Sequence, residues 1–218
     1  MTARPATTTI PAAGVRLEAD VVTPADAAAV VLFAHGSGSS RRSPRNRQVA
    51  EVLHRHRLAT VLLDLLTPGE ERTDLAGGRL RFDVELLAGR LVGVLDQLGQ
   101  WPETARLPVG LFGASTGAAA ALTAAARRPE TVGAVVSRGG RPDLAGAALA
   151  GVRAPTLLLV GSLDPEVVTL NEWARAALDT TVELRLVPGA SHLFEEPGTL
   201  DRVAEDAAGW FTRHLTTV

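Results

Sequence analysis

"VGLFGASTGAAAALTAAARRPETVGAVV", residues 109–136, decides how the chain is read. Residues 109–112 are continuously apolar, Gly113, Ala114, Ser115, Thr116 and Gly117 fit the pattern G-x-S-x-G, and the Ala-rich stretch 116–127 favours helix. A second apolar run, 133–136, follows. Strand, tight turn, helix and strand in that order make one unit of an α/β sheet. The small residues beside Ser115 let the chain turn sharply. They also set the hydroxyl at a helix N-terminus, where N–H groups and the helix dipole favour developing negative charge.

The same alternation runs through the rest of the 218 residues. Strand candidates lie at 15–22, 29–33, 59–63, 109–112, 133–136, 156–160 and 182–187, and helix candidates at 44–56, 82–98, 116–127, 166–178 and 200–214. Most internal strand candidates are apolar throughout, as strands buried on both faces of a mainly parallel sheet are. The stretch 15–22 instead alternates, with Val15, Leu17, Ala19 and Val21 against Arg16, Glu18 and Asp20, which predicts an antiparallel edge with one face toward solvent. Ser43 before Pro44 reads as an N-cap and a first-turn proline. Phe82, Leu86, Leu87, Val94, Leu95 and Leu98 fall largely on one helical stripe. The pattern predicts an α/β fold, a three-layer sandwich around a mostly parallel, doubly wound sheet of about seven to eight strands.

No linker divides the sequence, so one domain, residues 1–218, is expected. With 46% hydrophobic and 21% charged residues and a net charge of −2, the composition is that of a soluble globular protein with no field to steer nucleic acid or an anionic membrane. There is no Cys and no Tyr, and all 22 Lys-plus-Arg residues are Arg. Disulfides, thiolate nucleophiles, Cys-ligated zinc and Lys Schiff bases are thereby excluded. No metal-ligand cluster is visible, so neither a metal nor another cofactor is expected. "MTARPATTTI" lacks the apolar core of a signal peptide, and no run approaches the ~18 apolar residues that span a bilayer, so a cytoplasmic location is expected. Oligomeric state stays open.

In open parallel sheets ligands bind at the carboxyl ends of the strands. Four such exits carry suitable groups: Ser115 after 109–112, Asp164 in "GSLDPEV" after 156–160, His192 in "PGASHLFEEPG" after 182–187, and the loop "HGSGSS" after 29–33. A serine alcohol needs a base, and imidazole, with a pKa near ~6.5, is available for that at neutral pH. A buried carboxylate then holds the imidazole tautomer and stabilises the imidazolium. The oxyanion donors expected are the backbone N–H of Thr116, which follows the serine, and that of Ser37 in the "HGSGSS" loop; losing one such donor typically costs ~3–4 kcal/mol of transition-state stabilisation.

From "FAHGSGSS" through "GASTG" and "VGSLDPEV" to "GASHLFEE", the chain resembles an α/β-hydrolase, and most of all the small, lid-less dienelactone-hydrolase-like group. The resemblance spans most of the chain. It implies Ser115 as nucleophile, Asp164 as triad acid, His192 as base and the backbone at Ser37 and Thr116 as oxyanion hole. Dienelactone hydrolases proper use a cysteine at the nucleophile position, which this chain does not have; serine-using relatives include general carboxylesterases. The segment Arg138–Ala154 is too short for the cap domain that many relatives insert there, so an open site and small substrates are expected. Epoxide hydrolases and dehalogenases look similar in fold but carry an aspartate where Ser115 stands.

Plainer roles compete for several of these residues. Ser115 and Asp164 each precede a helix and so could serve as caps, although the place of Asp164 after the penultimate strand favours the triad, and Asp143 is a rival acid. His35, with Gly36, is expected to order the oxyanion loop beside the substrate. His54 and His56 point in different directions on one helix and are expected to be solvated, and His214 lies at a fraying terminus. Arg41, Arg42, Arg138 and Arg141 follow strand exits. A guanidinium fork there would suit an anionic substrate, while solvation or a pair with Asp143 are the alternatives. The function expected is a serine hydrolase that cleaves a small carboxylic ester or thioester through an acyl-enzyme, with anionic substrates favoured if the arginines line the pocket. A non-catalytic small-anion-binding domain and a perhydrolase-type activity are the alternatives.

Overall fold

The computed structural model of the protein describes residues 6–216. Eight strands form one sheet: β1 (Ala6–Ala12), β2 (Val15–Val22), β3 (Ala29–Ala34), β4 (Leu58–Leu63), β5 (Val109–Ala114), β6 (Val132–Arg138), β7 (Thr156–Gly161) and β8 (Val182–Val187). The α-helices are α1 (Pro44–Arg55), α2 (Pro68–Leu75), α3 (Val84–Leu98), α4 (Thr116–Arg127), α5 (Pro165–Ala177) and α6 (Thr199–Leu215), with 3₁₀ turns at Leu80–Phe82 and Pro142–Gly151. The strand order is β1-β2-β4-β3-β5-β6-β7-β8. From β4 to β8 all neighbours are parallel, while β1 and β2 are joined to each other and to β4 antiparallel. The chain leaves β3 toward β4 on one side and β5 lies on the other, which creates the switch point where open α/β sheets bind ligands.

Every residue of β3, β4, β5 and β7 is buried, as their apolar runs predict. One face of the sheet is covered by α1 and α6, through Val49, Leu53, Val203, Ala207 and Phe211. The other is covered by α3, α4 and α5, and α3 sends Leu87, Leu91, Val94, Leu95 and Leu98 into that core. A fully buried leucine stabilises by about 1.5–3 kcal/mol, so this stripe alone fixes how α3 docks. Ser43 caps α1, its hydroxyl accepting from the Asn46 amide at 3.3 Å, with Pro44 in the first turn. Only residues 139–155 join β6 to β7, and they fold as the second 3₁₀ segment rather than as a cap domain.

Three features depart from the sequence reading. β2 is antiparallel but is not the edge: β1 pairs along its whole length and buries Ile10 and Ala12. Ala12 faces Val15 across a two-residue turn, Ala13-Gly14, with φ of 45° and 80°, the positive pair that a type I′ hairpin turn requires. Pro11 is tolerated because its strand lies at the sheet's edge. α2 was not expected at all, although Thr67 and Glu70 form a capping box, each side chain taking the other's backbone N–H. α3 begins at Val84, capped by Asp83, so Phe82 is exposed rather than part of the buried stripe. Among the described residues no helix is long and apolar enough to cross a membrane.

Candidate functional site

Ser115 sits at the exit of β5 with φ 50° and ψ −123°, a conformation that non-glycine residues avoid. Its hydroxyl makes no capping bond to α4, so helix capping does not explain the serine. The turn is held from the neighbouring strand, where Arg138 O accepts the Ser115 amide at 3.2 Å, and packs closely against the chain leaving β3. Gly117 makes this close approach possible. A Cβ there would fall 2.3 Å from Ala34 O and 2.4 Å from His35 O, so the first turn of α4 can touch the β3 exit only without a side chain. On the other side, a Cβ at Gly36 would lie 3.2 Å from Ser115 Cβ, which sets Gly36 directly beside the serine.

His192 lies in the loop after β8, and its Nδ1 is 2.7 Å from Asp164 Oδ2. Asp164 occupies the N-cap position of α5 but makes no side-chain cap bond, because its carboxylate is turned toward His192. That bond fixes Nδ1 as the protonated nitrogen and leaves Nε2 as the basic one. The Asp164 side chain is 17% exposed and that of His192 39%, so the pair opens to solvent on the imidazole side. No hydrogen bond joins Ser115 to His192 among the described residues; such contacts often tighten only once substrate is bound. Asp143, the rival acid, is held by both arms of Arg141, at 2.9 and 2.8 Å.

The amides of Ser37 and Thr116 donate no backbone hydrogen bond among the described residues. Both are therefore free donors at the β3 and β5 exits. His35 shapes the first of these loops: its Nε2 accepts from the Leu65 amide at 3.1 Å, and its Nδ1 donates to Gly36 O at 2.9 Å. Both nitrogens are occupied, and burial lowers its pKa, so the ring is a neutral brace. A small cavity of about 90 Å³ opens beside this loop, lined by His35, Ser37, Leu65, Leu66, Leu75 and Arg81.

The arginines divide. Arg41 is neither solvated nor available to a substrate: it is 7% exposed, paired with Glu18 at 2.6 Å and with Asp64, and its Nε lies 3.4 Å from Asp20 without a hydrogen bond. Burial works against its charge, but the three carboxylates outweigh it and raise its pKa. Arg141 is committed to Asp143, and Arg42 is exposed. Arg138 is buried with no carboxylate partner. His54 is not solvated but hydrogen-bonded to Thr60 at 2.7 Å, His56 is exposed against Glu205, and His214 packs on Trp210 rather than fraying. Asp64, at the exit of β4, was missed by the sequence reading; its position directly after an apolar strand was the available signal. Among the described residues no three His, Asp or Glu side chains are grouped to hold a metal ion.

No protein-family model matches the chain. The crystal structure of a dienelactone hydrolase from Anabaena variabilis is 56% identical, with a TM-score of 0.97 over 99% of this chain and 100% of that one. Est1E from Butyrivibrio proteoclasticus shares the fold at 14% identity, with a TM-score of 0.79 over 95% of this chain and 98% of that one. A protein of Mycobacterium tuberculosis, provisionally named a phosphoribosyl transferase, is 59% identical over 186 residues, 85% of this chain and 41% of its own length. The chain thus spans about two-fifths of the length of the curated relatives it matches.

Proposed function

The chain belongs to the dienelactone-hydrolase-like group of α/β-hydrolases, and from that premise we propose that it is a serine hydrolase that cleaves small carboxylic esters or thioesters through an acyl-enzyme. His192 Nε2 takes the Ser115 proton as Oγ attacks the carbonyl carbon. The tetrahedral oxyanion accepts hydrogen bonds from the Ser37 and Thr116 amides, and His192 returns the proton to the departing alcohol or thiol. Water, deprotonated by the same nitrogen, then releases the acid. Asp164 keeps the imidazole in the required tautomer throughout.

One observation carries this reading. The Asp164 carboxylate forgoes the helix end it precedes and bonds His192 Nδ1 at 2.7 Å instead. The strained backbone at Ser115 supports it independently, because strain of this kind persists where function requires it. The open site, with no cap between β6 and β7, suits small substrates such as those of an esterase. The activity in the mycobacterial name describes proteins of which this chain matches 41%, and it gives no reason for the His192–Asp164 pair.

A fluorophosphonate probe tests the proposal. It is expected to modify Ser115 in the unaltered protein and to leave His192→Ala unmodified, and Asp164→Asn is expected to lower kcat for an activated ester by about 10⁴-fold. A folded protein whose Ser115 resists the probe, or an Asp164→Asn variant with full turnover, would overturn it.

A further inference from the structure

Three arginines are buried among the described residues: Arg41, Arg90 and Arg138. Arg41 lies among its three carboxylates, and Arg90 bonds Glu70 at 2.6 Å and the carbonyls of Ala12 and Ala13, so that in each only a buried Nε lacks a partner. Arg138 has no carboxylate partner. It is 8% exposed, and its Nε and Nη1 are buried without any hydrogen-bond partner. What it touches is an aromatic face, with Cζ 5.9 Å from the centre of the Phe194 ring. A cation–π contact returns less than the burial of a charge costs.

A second cation stands nearby. Burial first, and then the charge of Arg45 in α1, lower the Arg138 pKa to about 10. Arg45 has Glu195 at 3.3 Å from its Nη1, yet its Nε is also buried and unpartnered. Phe194, which Arg138 faces, and Glu195, which Arg45 bonds, are adjacent in the chain, so the two guanidinium groups flank the same stretch of the loop after β8 with three unpartnered N–H-bearing nitrogens and a single carboxylate between them. That excess of donors and positive charge is what a carboxylate or phosphate group would satisfy.

Arg138 and Phe194 adjoin the proposed catalytic groups. Arg138 holds the Ser115 amide through its own carbonyl, and Phe194 lies two residues beyond His192, in a left-handed conformation with φ 56°. A Cβ at Gly139 would fall 3.1 Å from His192 O and 3.2 Å from Phe194 Cε2, so the chain after Arg138 packs directly on the His192 loop. We propose that Arg138 and Arg45 form a subsite for a small oxyanion, a carboxylate or phosphate group, between the exit of β6 and the His192 loop. The group comes either from the substrate's own acid function or from a free anion. The first source rests on the serine hydrolase reading; the site itself does not.

Two measurements decide it. In Ser115→Ala protein, which needs no turnover, inorganic phosphate at constant ionic strength is expected to raise Tm by about 3 °C, and that rise should vanish on adding Arg138→Met or Arg45→Gln. In protein with Ser115 intact, kcat/KM is compared for a half-ester bearing a free carboxylate and for its neutral diester. Arg138→Met should lower the ratio of the two about tenfold or more. A lost Tm rise with an unchanged ratio identifies a free anion as the occupant, and a fallen ratio identifies the substrate's acid group. Arg45→Gln, at a half-buried position, supplies the same readouts if Arg138→Met does not fold. If no ester is hydrolysed, the hydrolase reading fails while the Tm measurement still decides the anion site. Equal phosphate responses together with equal ratios in the unaltered and variant proteins overturn the proposal.

Discussion

At Ser115 the backbone holds φ 50° and ψ −123°, which costs a non-glycine residue about 1–3 kcal/mol. Glycine adopts that conformation freely but adds about 0.5–1 kcal/mol of unfolded-state entropy. Ser115→Gly is therefore expected to raise Tm by about 2 °C while abolishing probe labelling. A Tm that stays level or falls would mean the turn is not strained. The imidazoles give a pH dependence of definite sign. Burial, the largest influence on each, holds His35 and His54 below the ordinary value, so the folded protein favours their neutral forms. Above about pH 6.5 the unfolded chain is neutral too and the full stability is present. Below that, the unfolded chain binds protons that the folded one resists, and stability is lost. Tm should fall between about pH 7.5 and 5.5, and His54→Gln should shrink that fall; an identical fall would exclude His54 as a source. Ser115, directly after β5, Asp164, three residues beyond β7, and His192, five residues beyond β8, were legible as candidates because each lies at a strand exit. The left-handed backbone at Phe194 was not, since nothing in "SHLFEE" marks a positive φ at a phenylalanine.

Among the elements, the internal strands and their helices were readable because burial on both sheet faces leaves unbroken apolar runs. β1 was not. "ATTTIPA" does alternate, with Thr8, Ile10 and Ala12 turned inward, but Pro11 and the small apolar content hide a strand whose partner supplies most of the burial. The capping box of α2 was written at Thr67 and Glu70, yet an exposed helix of eight residues leaves no hydrophobic stripe to find. α4 shows how packing overrides propensity. Replacing a helical glycine by alanine ordinarily gains up to about 1 kcal/mol, and Gly89 in α3, with nothing within 4 Å of an added Cβ, should behave that way. At Gly117 the same change meets Ala34 O at 2.3 Å, and overpacking of that kind costs about 1–3 kcal/mol. Urea midpoints should therefore move in opposite directions for Gly89→Ala and Gly117→Ala. A stabilised Gly117→Ala protein would show that α4 can shift away from the β3 exit without loss.

For the molecule as a whole, Arg41 ties together parts that the sheet alone does not. Its guanidinium pairs with Glu18 of β2 and Asp64 beyond β4 and lies 3.4 Å from Asp20 of β2, and its backbone amide donates to Asp64 at 2.6 Å, fixing the segment that follows the loop after β3. Arg41→Met removes the cation from among three carboxylates and is expected to cost about 3 kcal/mol in urea unfolding. It should also lower ester turnover by loosening the loop that carries Ser37. A loss below about 0.5 kcal/mol would place this cluster with ordinary surface pairs. The sequence reading offered Arg41 for substrate because an arginine after a strand exit looks the same whether its partner is a ligand or an acid from a distant strand.

The pairing of β3 with β5 also dictates when the site comes into being. Val30 lies opposite Val109, 79 positions apart in the chain (109 − 30), with α1, β4, α2 and α3 laid down between them. Closing so long a loop carries an entropy cost that must be met before the contacts reward it, which slows sheets built from distant strands. The β1–β2 hairpin and the helices can form from neighbours in sequence. The exits of β3 and β5, which carry Ser37 and Thr116, the oxyanion donors we propose, come side by side only when this central pairing closes, so on that proposal competence for chemistry is a late event in folding, acquired after most of the secondary structure is in place.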